Sequence, residues 1–375
     1  MKIPWVITEP TKVKHELLKQ YIVPWMKILF NNQAKFKKPE LLLYFDGFSG
    51  PGVYYTDNTK SLICPGSPII VAEIANRHIM DKPGRQVTMF CIDSDKECVD
   101  MLRGKLSNLN NHHQRWEVHH AEFDEKIHNI LDEMEKDYLC NQPMFFFIDP
   151  FGYTGYPINT LKRILKYPRV ELFINFMIYD IIRFCEQDQF ESKLFDQFGC
   201  EGFKAIRDIR NSEEKQAYIR NLYCESLKNL ANAEYVMPFR VNTPGQKTRP
   251  RYYLIHVSKN PKALKVMKDT MGRVSDVSYR FEAVGVKTEQ MSLFEDPGKL
   301  ELGARIESFC RSRHPGHVDY DVIENWAYAN TNGLSGTIKE ALLRLEKEKI
   351  IEIERKRGQH SNTVTTGSKI LCLAG

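Results

Sequence analysis

Hydrophobic residues along the first part of the chain fall into short runs, separated by longer stretches in which they recur every three or four positions. Five runs stand out: Leu41 to Phe45, Val87 to Ile92, Trp116 to His120, Phe145 to Ile148, and Glu171 to Phe176. Runs of this kind read as strands, and the helical stretches between them make βαβ units, hence a largely parallel sheet covered by helices on both faces. The predicted class is α/β, a doubly wound, Rossmann-like sheet. Ahead of the first strand, TKVKHELLKQYIVPWMKILF carries Val13, Leu17, Leu18, Tyr21 and Ile22 at helical spacing, with Pro24 expected to kink or end the helix. Arg251 to Val257 has the composition of a strand near the sheet edge. A helix from Pro261 to Met271 follows it, opened by a proline suited to the first turn.

From Ser275 the periodicity weakens, and Thr288 to Lys299 reads as a linker with a turn at Asp296, Pro297 and Gly298. The division expected is residues 1–290 for the α/β domain, 291–300 for the linker and 301–375 for a smaller unit. In that unit helical patterns cover Leu302 to Arg313, Tyr320 to Ala329 and Ser335 to Lys349, and candidate strands cover Ile350 to Arg355 and Lys369 to Leu373. Three helices and a two-stranded wing with a basic tip at Arg355, Lys356 and Arg357 predict a winged helix-turn-helix.

The 375 residues suffice for two or three domains at roughly 100 to 200 residues each. A composition of 42% hydrophobic and 27% charged residues excludes wholesale disorder. The longest apolar stretch, Val170 to Ile182, is broken by Glu171, Asn175 and Asp180, short of the roughly 18 apolar residues a spanning helix needs. A net charge of +5 permits a polyanionic partner without demanding one. The nine cysteines are scattered with no C-x-x-C pair, which gives no support to zinc, an iron–sulfur cluster or a secreted disulfide framework. His112-His113 and His119-His120 lack the spacing of a helical ligand set, so no metal is expected. The first residues lack a secretory apolar region and carry acidic residues early, so the expectation is a cytoplasmic protein with no membrane partner.

The strongest chemical signal is LLLYFDGFSGPGVY, a buried strand running into Asp46, Gly47, Phe48, Ser49, Gly50, Pro51 and Gly52. In an open α/β sheet the ligand sits off the carboxyl ends of the strands, where glycines let the backbone approach it. An aspartate there can hold an ammonium group, which suits the zwitterionic amino-acid part of S-adenosylmethionine better than a pyrophosphate; a ligand-free glycine turn is the plain alternative. The second strand ends at Asp93, placed to accept from ribose hydroxyls. Its distance from Asp46 exceeds the roughly 20 residues of a dinucleotide fingerprint. The insertion contains CPGSP before a helix from Ile69 to Arg77, and Ser67 either caps that helix or faces the cofactor. Glu122 could accept from an adenine amino group and Phe123 could cover the ring, although a solvated helix start explains both residues.

MFFFIDPFGYTG places Asp149 at the end of an apolar run, followed by Pro150, Phe151, Gly152 and Tyr153. Methylation of a nucleobase amine needs such an arrangement: the carboxylate and the proline carbonyl accept from the amine and aim its lone pair, while an aromatic stacks on the base. A structural turn is the alternative. RVNTPGQKTRPRYY interleaves Lys247, Arg249 and Arg251 with aromatics, which fits either a nucleic-acid contact or a solvated loop. The helix from Ser335 to Lys349 carries both charge signs, as salt-bridged exposed faces do.

The series DGFSGPGVY, PGSP, FIDPFGYTG and ELFINFMIYDIIRF resembles the three-Cys-motif partner (TcmP) family of predicted S-adenosylmethionine-dependent methyltransferases, over most of the chain to about residue 290. The C-terminal part resembles the winged-helix unit of some members. More distantly, Lys14-His15, D-x-x-x-G-x-G, P-G-S-P and the D-P-aromatic turn are similar in order to the RlmJ-type ribosomal RNA adenine-N6 methyltransferases. That resemblance implies a catalytic Asp149, Lys14 and His15 at the cofactor or active-site edge, and cofactor contacts from Asp46, Phe48, Gly50, Asp93 and Glu122. The chain departs in having Asp-Pro-Phe-Gly for Asp-Pro-Pro-Tyr, so Phe151 or Tyr153 would supply the stacking ring. The family name refers to a neighbouring protein with three cysteines, a possible partner.

The expectation is therefore a Rossmann-like methyltransferase domain with a C-terminal winged helix, acting with S-adenosylmethionine on a nucleobase amine, adenine N6 favoured, in RNA or DNA. The competing expectation is a non-catalytic protein that binds nucleic acid or a partner. A nicotinamide oxidoreductase fits poorly, because no G-x-G-x-x-G opens the first helix.

Overall fold

The computed structural model describes residues 3–82, 84–109, 115–137, 139–242, 250–274, 279–281, 297–313 and 315–373. The chain opens with α1 (Glu9–Lys35), β1 (Leu41–Asp46), the short strands β2 (Val53–Tyr55) and β3 (Ile63–Pro65), and α2 (Ser67–Asp81). Then come β4 (Gln86–Asp93), α3 (Lys96–Ser107), β5 (Arg115–His120), α4 (Phe123–Lys136) and β6 (Met144–Ile148). After these follow α5 (Ile158–Ile164), β7 (Val170–Phe176), α6 (Ile178–Cys185), α7 (Glu191–Phe198) and α8 (Ser212–Asn229). The first region closes with β8 (Tyr235–Asn242), β9 (Pro250–Ser258), α9 (Pro261–Val274) and β10 (Tyr279–Phe281).

One eight-stranded sheet has the order β10-β8-β9-β7-β6-β1-β4-β5. The five strands from β7 to β5 are parallel, and β9, β8 and β10 extend the sheet antiparallel beyond β7. Strand alternation divides the core in two. On β1, Leu42 and Tyr44 face the layer that contains α1, α2, α3 and α9, whereas Leu43 and Phe45 face the layer of α4 to α8. The expected doubly wound α/β sheet is present.

Two expectations need correction, and one strand was not foreseen. Pro24 does not end α1, which runs 27 residues through it. Tyr21, Ile22, Trp25, Met26 and Phe30 are buried on both sides of it, and that burial outweighs the roughly 3 kcal/mol an interior proline costs. The strand at Arg251–Val257, expected near the sheet edge, lies third from it, between β7 and β8. β8 carries Pro238 and Arg240 inside YVMPFRVN, so no clean strand pattern announces it.

The C-terminal region contains α10 (Pro297–Arg311), β11 (His317–Asp319), α11 (Tyr320–Asn330), α12 (Ser335–Lys347), β12 (Ile351–Glu354) and β13 (Lys369–Cys372), with its strands in the order β11-β13-β12. The helix begins at Pro297, so residues 297–300 are not linker; 291–296 lie outside the described residues. β11 adds a third strand to the expected pair.

This region shares a core with the first. Leu264, Met267 and Met271 of α9 belong to the same apolar cluster as Ile306, Ile323, Tyr328 and Leu342. At its centre Lys268, fully buried, donates to the carbonyl oxygens of Tyr328, at 3.0 Å, and Thr331. Around it Lys265 pairs with Glu324 at 2.7 Å, and Asp269 accepts from the Ser335 amide at 3.1 Å and the Tyr328 hydroxyl at 3.3 Å. A Cβ on Gly272 would lie 2.4 Å from the Leu334 side chain, so a larger residue there would push Leu334 aside. Among the described residues no helix is long and apolar enough to cross a membrane.

Candidate active site

From β1 the chain runs outward to β4 and β5, then crosses back to place β6 on the other side of β1. The strand order reverses between β1 and β6, and ligands of open α/β sheets bind outside the carboxyl ends at such a point. Asp46 ends β1 there, fully buried. Its Oδ2 accepts from the Tyr44 hydroxyl at 3.1 Å, while Oδ1 has no hydrogen-bond partner. Burial pushes the carboxyl up to about 7, against the opposing pull of the Ser67 and Tyr44 hydroxyls.

The loop after β1 is shaped by glycine. Gly50 and Gly52 have φ of 58° and 75°, the left-handed region, and a Cβ on Gly52 would meet Leu102 at 2.5 Å. Asp93 fastens this loop to β4: Oδ2 accepts from the Gly50 amide at 2.7 Å and Oδ1 from the Asp95 amide at 2.9 Å. Burial raises the Asp93 carboxyl. Ser67 does not cap α2; Gly66 occupies the cap position and Ser67 is the first helical residue, its hydroxyl turned toward Asp46.

Asp149 follows β6 and is gripped from two sides. Lys14 of α1 donates to both of its oxygens at 2.7 Å, and the Asn175 amide of β7 donates to Oδ1 at 2.6 Å. His15, 6% exposed, lies beside Lys14 with Nδ1 unpartnered and its ring 5.4 Å from that of Tyr54. Burial and then the Lys14 charge hold His15 down to about 4, so the imidazole is neutral near pH 7. Pro150 is buried, and Phe151 after it is 77% exposed. Tyr153 is buried against Phe184 at 4.5 Å and is no candidate for the stacking ring.

Phe123 is corrected as well. At 1% exposure it lies under the loop, its ring carbon 2.8 Å from where a Cβ on Gly47 would be, and it packs on Phe48 at 5.6 Å. No face of it is left for a ligand. Glu122, at the cap position of α4, is exposed and makes no capping bond.

Sequence reasoning missed Trp5, Asn175 and Tyr54. Trp5 is held over the site by backbone bonds to β2: the Tyr55 amide donates to the Trp5 carbonyl at 2.7 Å and the Ile7 amide to the Tyr55 carbonyl at 2.8 Å. Its ring meets Phe151 edge-on at 4.8 Å and comes within 3.4 Å of a Cβ placed on Gly50. No local pattern marks Trp5, since a two-bond bridge to a short strand leaves no periodicity. Asn175 had a signal: it is a polar residue inside the otherwise apolar end of the run LFINF.

Of the residues expected to contact nucleic acid, Lys247 and Arg249 lie outside the described residues, and Arg251 is exposed where β9 begins. Arg355 is corrected: its guanidinium grips Glu346 through both terminal nitrogens, one at 2.6 Å, and Nε donates to the Thr363 carbonyl at 3.0 Å. It braces the turn between β12 and β13, leaving Lys356 and Arg357 exposed. His119 pairs with Glu117 at 3.2 Å and His120 contacts the Ser94 carbonyl at 3.1 Å, while His112 and His113 lie outside the described residues. Among the described residues no three His, Cys, Asp or Glu side chains cluster as metal ligands.

No family model matches the chain, and no curated protein matches it. Among solved structures, a protein from Legionella pneumophila str. Philadelphia 1 of family model DUF519 is similar at 14% identity and a TM-score of 0.40, covering 74% of this chain and 97% of its own. Human methyltransferase-like protein 13 in complex with SAH is similar at 11% identity and a TM-score of 0.34, covering 76% of this chain and 96% of its own. Likeness at this level leaves the site to be judged by its own geometry.

Proposed function

We propose that the chain is an S-adenosylmethionine-dependent methyltransferase acting on a nucleobase amine, adenine N6 favoured, in RNA or DNA. The observation that carries this reading is the pair of carboxylates at the switch point: Asp46, buried with an orphaned Oδ1, and Asp149, half-buried and held by Lys14 and Asn175. An orphaned buried acceptor is costly unless a ligand completes it. The ammonium of S-adenosylmethionine fits Asp46, Gly50 and Gly52 let its backbone-facing side come close, and Asp93 retains lone pairs for ribose hydroxyls. When bound, the cofactor supplies an electrophilic methyl group.

Asp149 and the Pro150 carbonyl accept from the target amine and hold its lone pair toward the methyl. Transfer leaves the nitrogen with an extra proton, which Asp149 is placed to receive. Phe151, with Trp5 at its edge, supplies the exposed aromatic surface for the unstacked base. Glu122 and Phe48 line the adenine side of the loop, and His15 stays neutral beside Lys14. We read the C-terminal region as a winged helix whose tip, Lys356 and Arg357, holds the polymer, with Arg251 as a further contact. A three-Cys-motif protein is the proposed protein partner, and the cytoplasm the proposed compartment.

One observation favours the second reading, a non-catalytic binding protein: Lys14 covers both Asp149 oxygens and competes with an amine donor. The decisive experiment incubates the chain with methyl-labelled S-adenosylmethionine and a mixed pool of RNA and DNA, with and without cell extract. Label in nucleic acid is expected. Label in neither condition hands the lead to the binding-protein reading.

A further inference from the structure

Asn175 stands in a strand where chemistry gives no reason for a polar side chain. β7 is flanked by β6 and β9, and Leu172, Phe173, Ile174 and Phe176 around Asn175 are fully buried. Asn175 itself is 2% exposed. Its Nδ2 donates to Asp149 Oδ1 at 2.6 Å and reaches the Met177 sulfur at 3.4 Å, whereas its Oδ1 has no partner. The amide orientation is dictated, because an ionised carboxylate only accepts. A buried amide half-satisfied in this way costs more than a leucine of similar volume, so its service to the fold does not explain it.

The accounting of lone pairs does. A carboxylate oxygen takes about two hydrogen bonds. Asp149 Oδ1 already receives Lys14 and Asn175, whereas Oδ2 receives Lys14 alone. The register places Asn175 for this: Ile148 pairs with Ile174, so the residue one step on in β7 lies beside the residue one step on from β6.

We propose that Asn175 is a positioning residue that saturates Asp149 Oδ1 and fixes the carboxylate so that Oδ2 alone faces the target amine. This rests on the reading of Asp149 as the amine acceptor. It selects one oxygen, hence one direction for the lone pair of the amine.

The test uses Asn175→Leu and Asn175→Asp in the full chain, with methyl-labelled S-adenosylmethionine and the mixed RNA and DNA pool. Asn175→Leu is expected to lower kcat about 10²-fold, as misplacement of a reacting group does, with KM for S-adenosylmethionine unchanged. In Asn175→Asp the two carboxyls share one proton, so transfer should persist at acid pH and fall as pH rises. That pH profile is a readout a merely structural role would not move. A crystal structure of Asn175→Leu should show the Asp149 carboxylate turned away from its place; should that variant fail to fold, Asn175→Ala replaces it. A wild-type kcat with an unshifted profile overturns the proposal while the methyltransferase reading stands. If the unaltered chain transfers nothing, that reading falls, and the crystal structure still decides: an Asp149 carboxylate left in place overturns the role of Asn175.

Discussion

Two polar clusters in this molecule are built differently. Between α9 and the C-terminal helices, Lys268, Lys265, Asp269, Glu324 and Tyr328 bond one another or backbone groups. At the carboxyl edge of β1, β6 and β7, by contrast, Asp46 Oδ1, His15 Nδ1, Asn175 Oδ1 and the Tyr156 hydroxyl are buried and unpartnered. Burial without a partner costs stability wherever it occurs, so a fold keeps it where something else completes the bond. The first cluster joins two regions of the chain. The second, at the strand ends, is the cluster proposed to meet a ligand.

The largest effect should come from the second cluster. Asp149→Ala should lower methyl transfer by about 10² to 10³, the usual loss for one well-oriented polar contact in a transition state, while leaving affinity for S-adenosylhomocysteine nearly unchanged. Asp149→Asn should retain part of the activity, since its oxygen still accepts. Radiolabel transfer and calorimetry separate the two quantities. A variant as fast as the unaltered chain would remove Asp149 from the chemistry and leave the comparison without its functional half.

Asp46 sharpens the contrast through pH. Its carboxyl is raised to about 7 by burial, so below that pH the free chain holds it neutral and an ammonium group finds no charge to pair with. Affinity for S-adenosylhomocysteine should therefore climb as pH rises through about 7 and level off above it. Asp46→Asn should weaken binding by about 1.5 to 3 kcal/mol, the worth of a charged hydrogen bond, and flatten that dependence. Calorimetric titrations from pH 6 to 8 read both, and a slope that survives the substitution would place the titrating group elsewhere.

The two clusters were unequally legible in the sequence. Leu41 to Phe45 and Phe145 to Ile148 are apolar throughout because strands buried on both faces need be nothing else, and Asp46 and Asp149 interrupt that pattern where the strands end. Glycines at Gly50 and Gly52 signalled the loop for the same reason: positive φ restricts residue choice. Contacts made at long range left no such mark. Lys14 reaches Asp149 across 135 positions, and the C-terminal face of α9 looks like any amphipathic helix until Lys268 is found buried in it. Arg355 illustrates the limit of charge reading, since composition alone does not distinguish a cation facing solvent from one gripping Glu346.

The joining cluster has its own pH test. Burial holds Lys268 down to about 7 from an ordinary value near 10.5, so between those values the unfolded chain binds the extra proton and the folded chain does not. Stability from this residue therefore rises with pH across that window and is lost as pH falls toward 7. Lys268→Met keeps the aliphatic stem but leaves the Tyr328 and Thr331 carbonyls without their donor, a loss of about 1 to 3 kcal/mol. The Tm difference between the unaltered chain and the variant should widen from pH 7 to pH 9, with cofactor affinity equal in both. A constant difference would mean that Lys268 stays protonated in the folded chain across this range, as it does in the unfolded one.

The smallest effects belong to the basic tip, where neighbouring residues should separate cleanly. Lys356 and Arg357 are exposed, so replacing either with alanine removes a solvated charge and should leave Tm within the scatter of surface substitutions. If the tip holds a nucleic-acid backbone, each replacement should reduce the slope of log affinity against log salt by roughly one, because one fewer counterion is released on binding. Arg355→Ala acts on a different quantity. It breaks a two-pronged pair with Glu346 and the bond to the Thr363 carbonyl, so it should lower stability by about 1 kcal/mol or more. Its effect on nucleic-acid affinity should then follow from a loosened turn between β12 and β13, appearing at every salt concentration with the slope preserved. Fluorescence anisotropy on a labelled RNA oligonucleotide across a salt series, with thermal melts alongside, distinguishes the two patterns. A slope change in Arg355→Ala equal to that of its neighbours, with Tm unaltered, would show that Arg355 faces the polymer and that its bond to Glu346 is exchanged for one to phosphate.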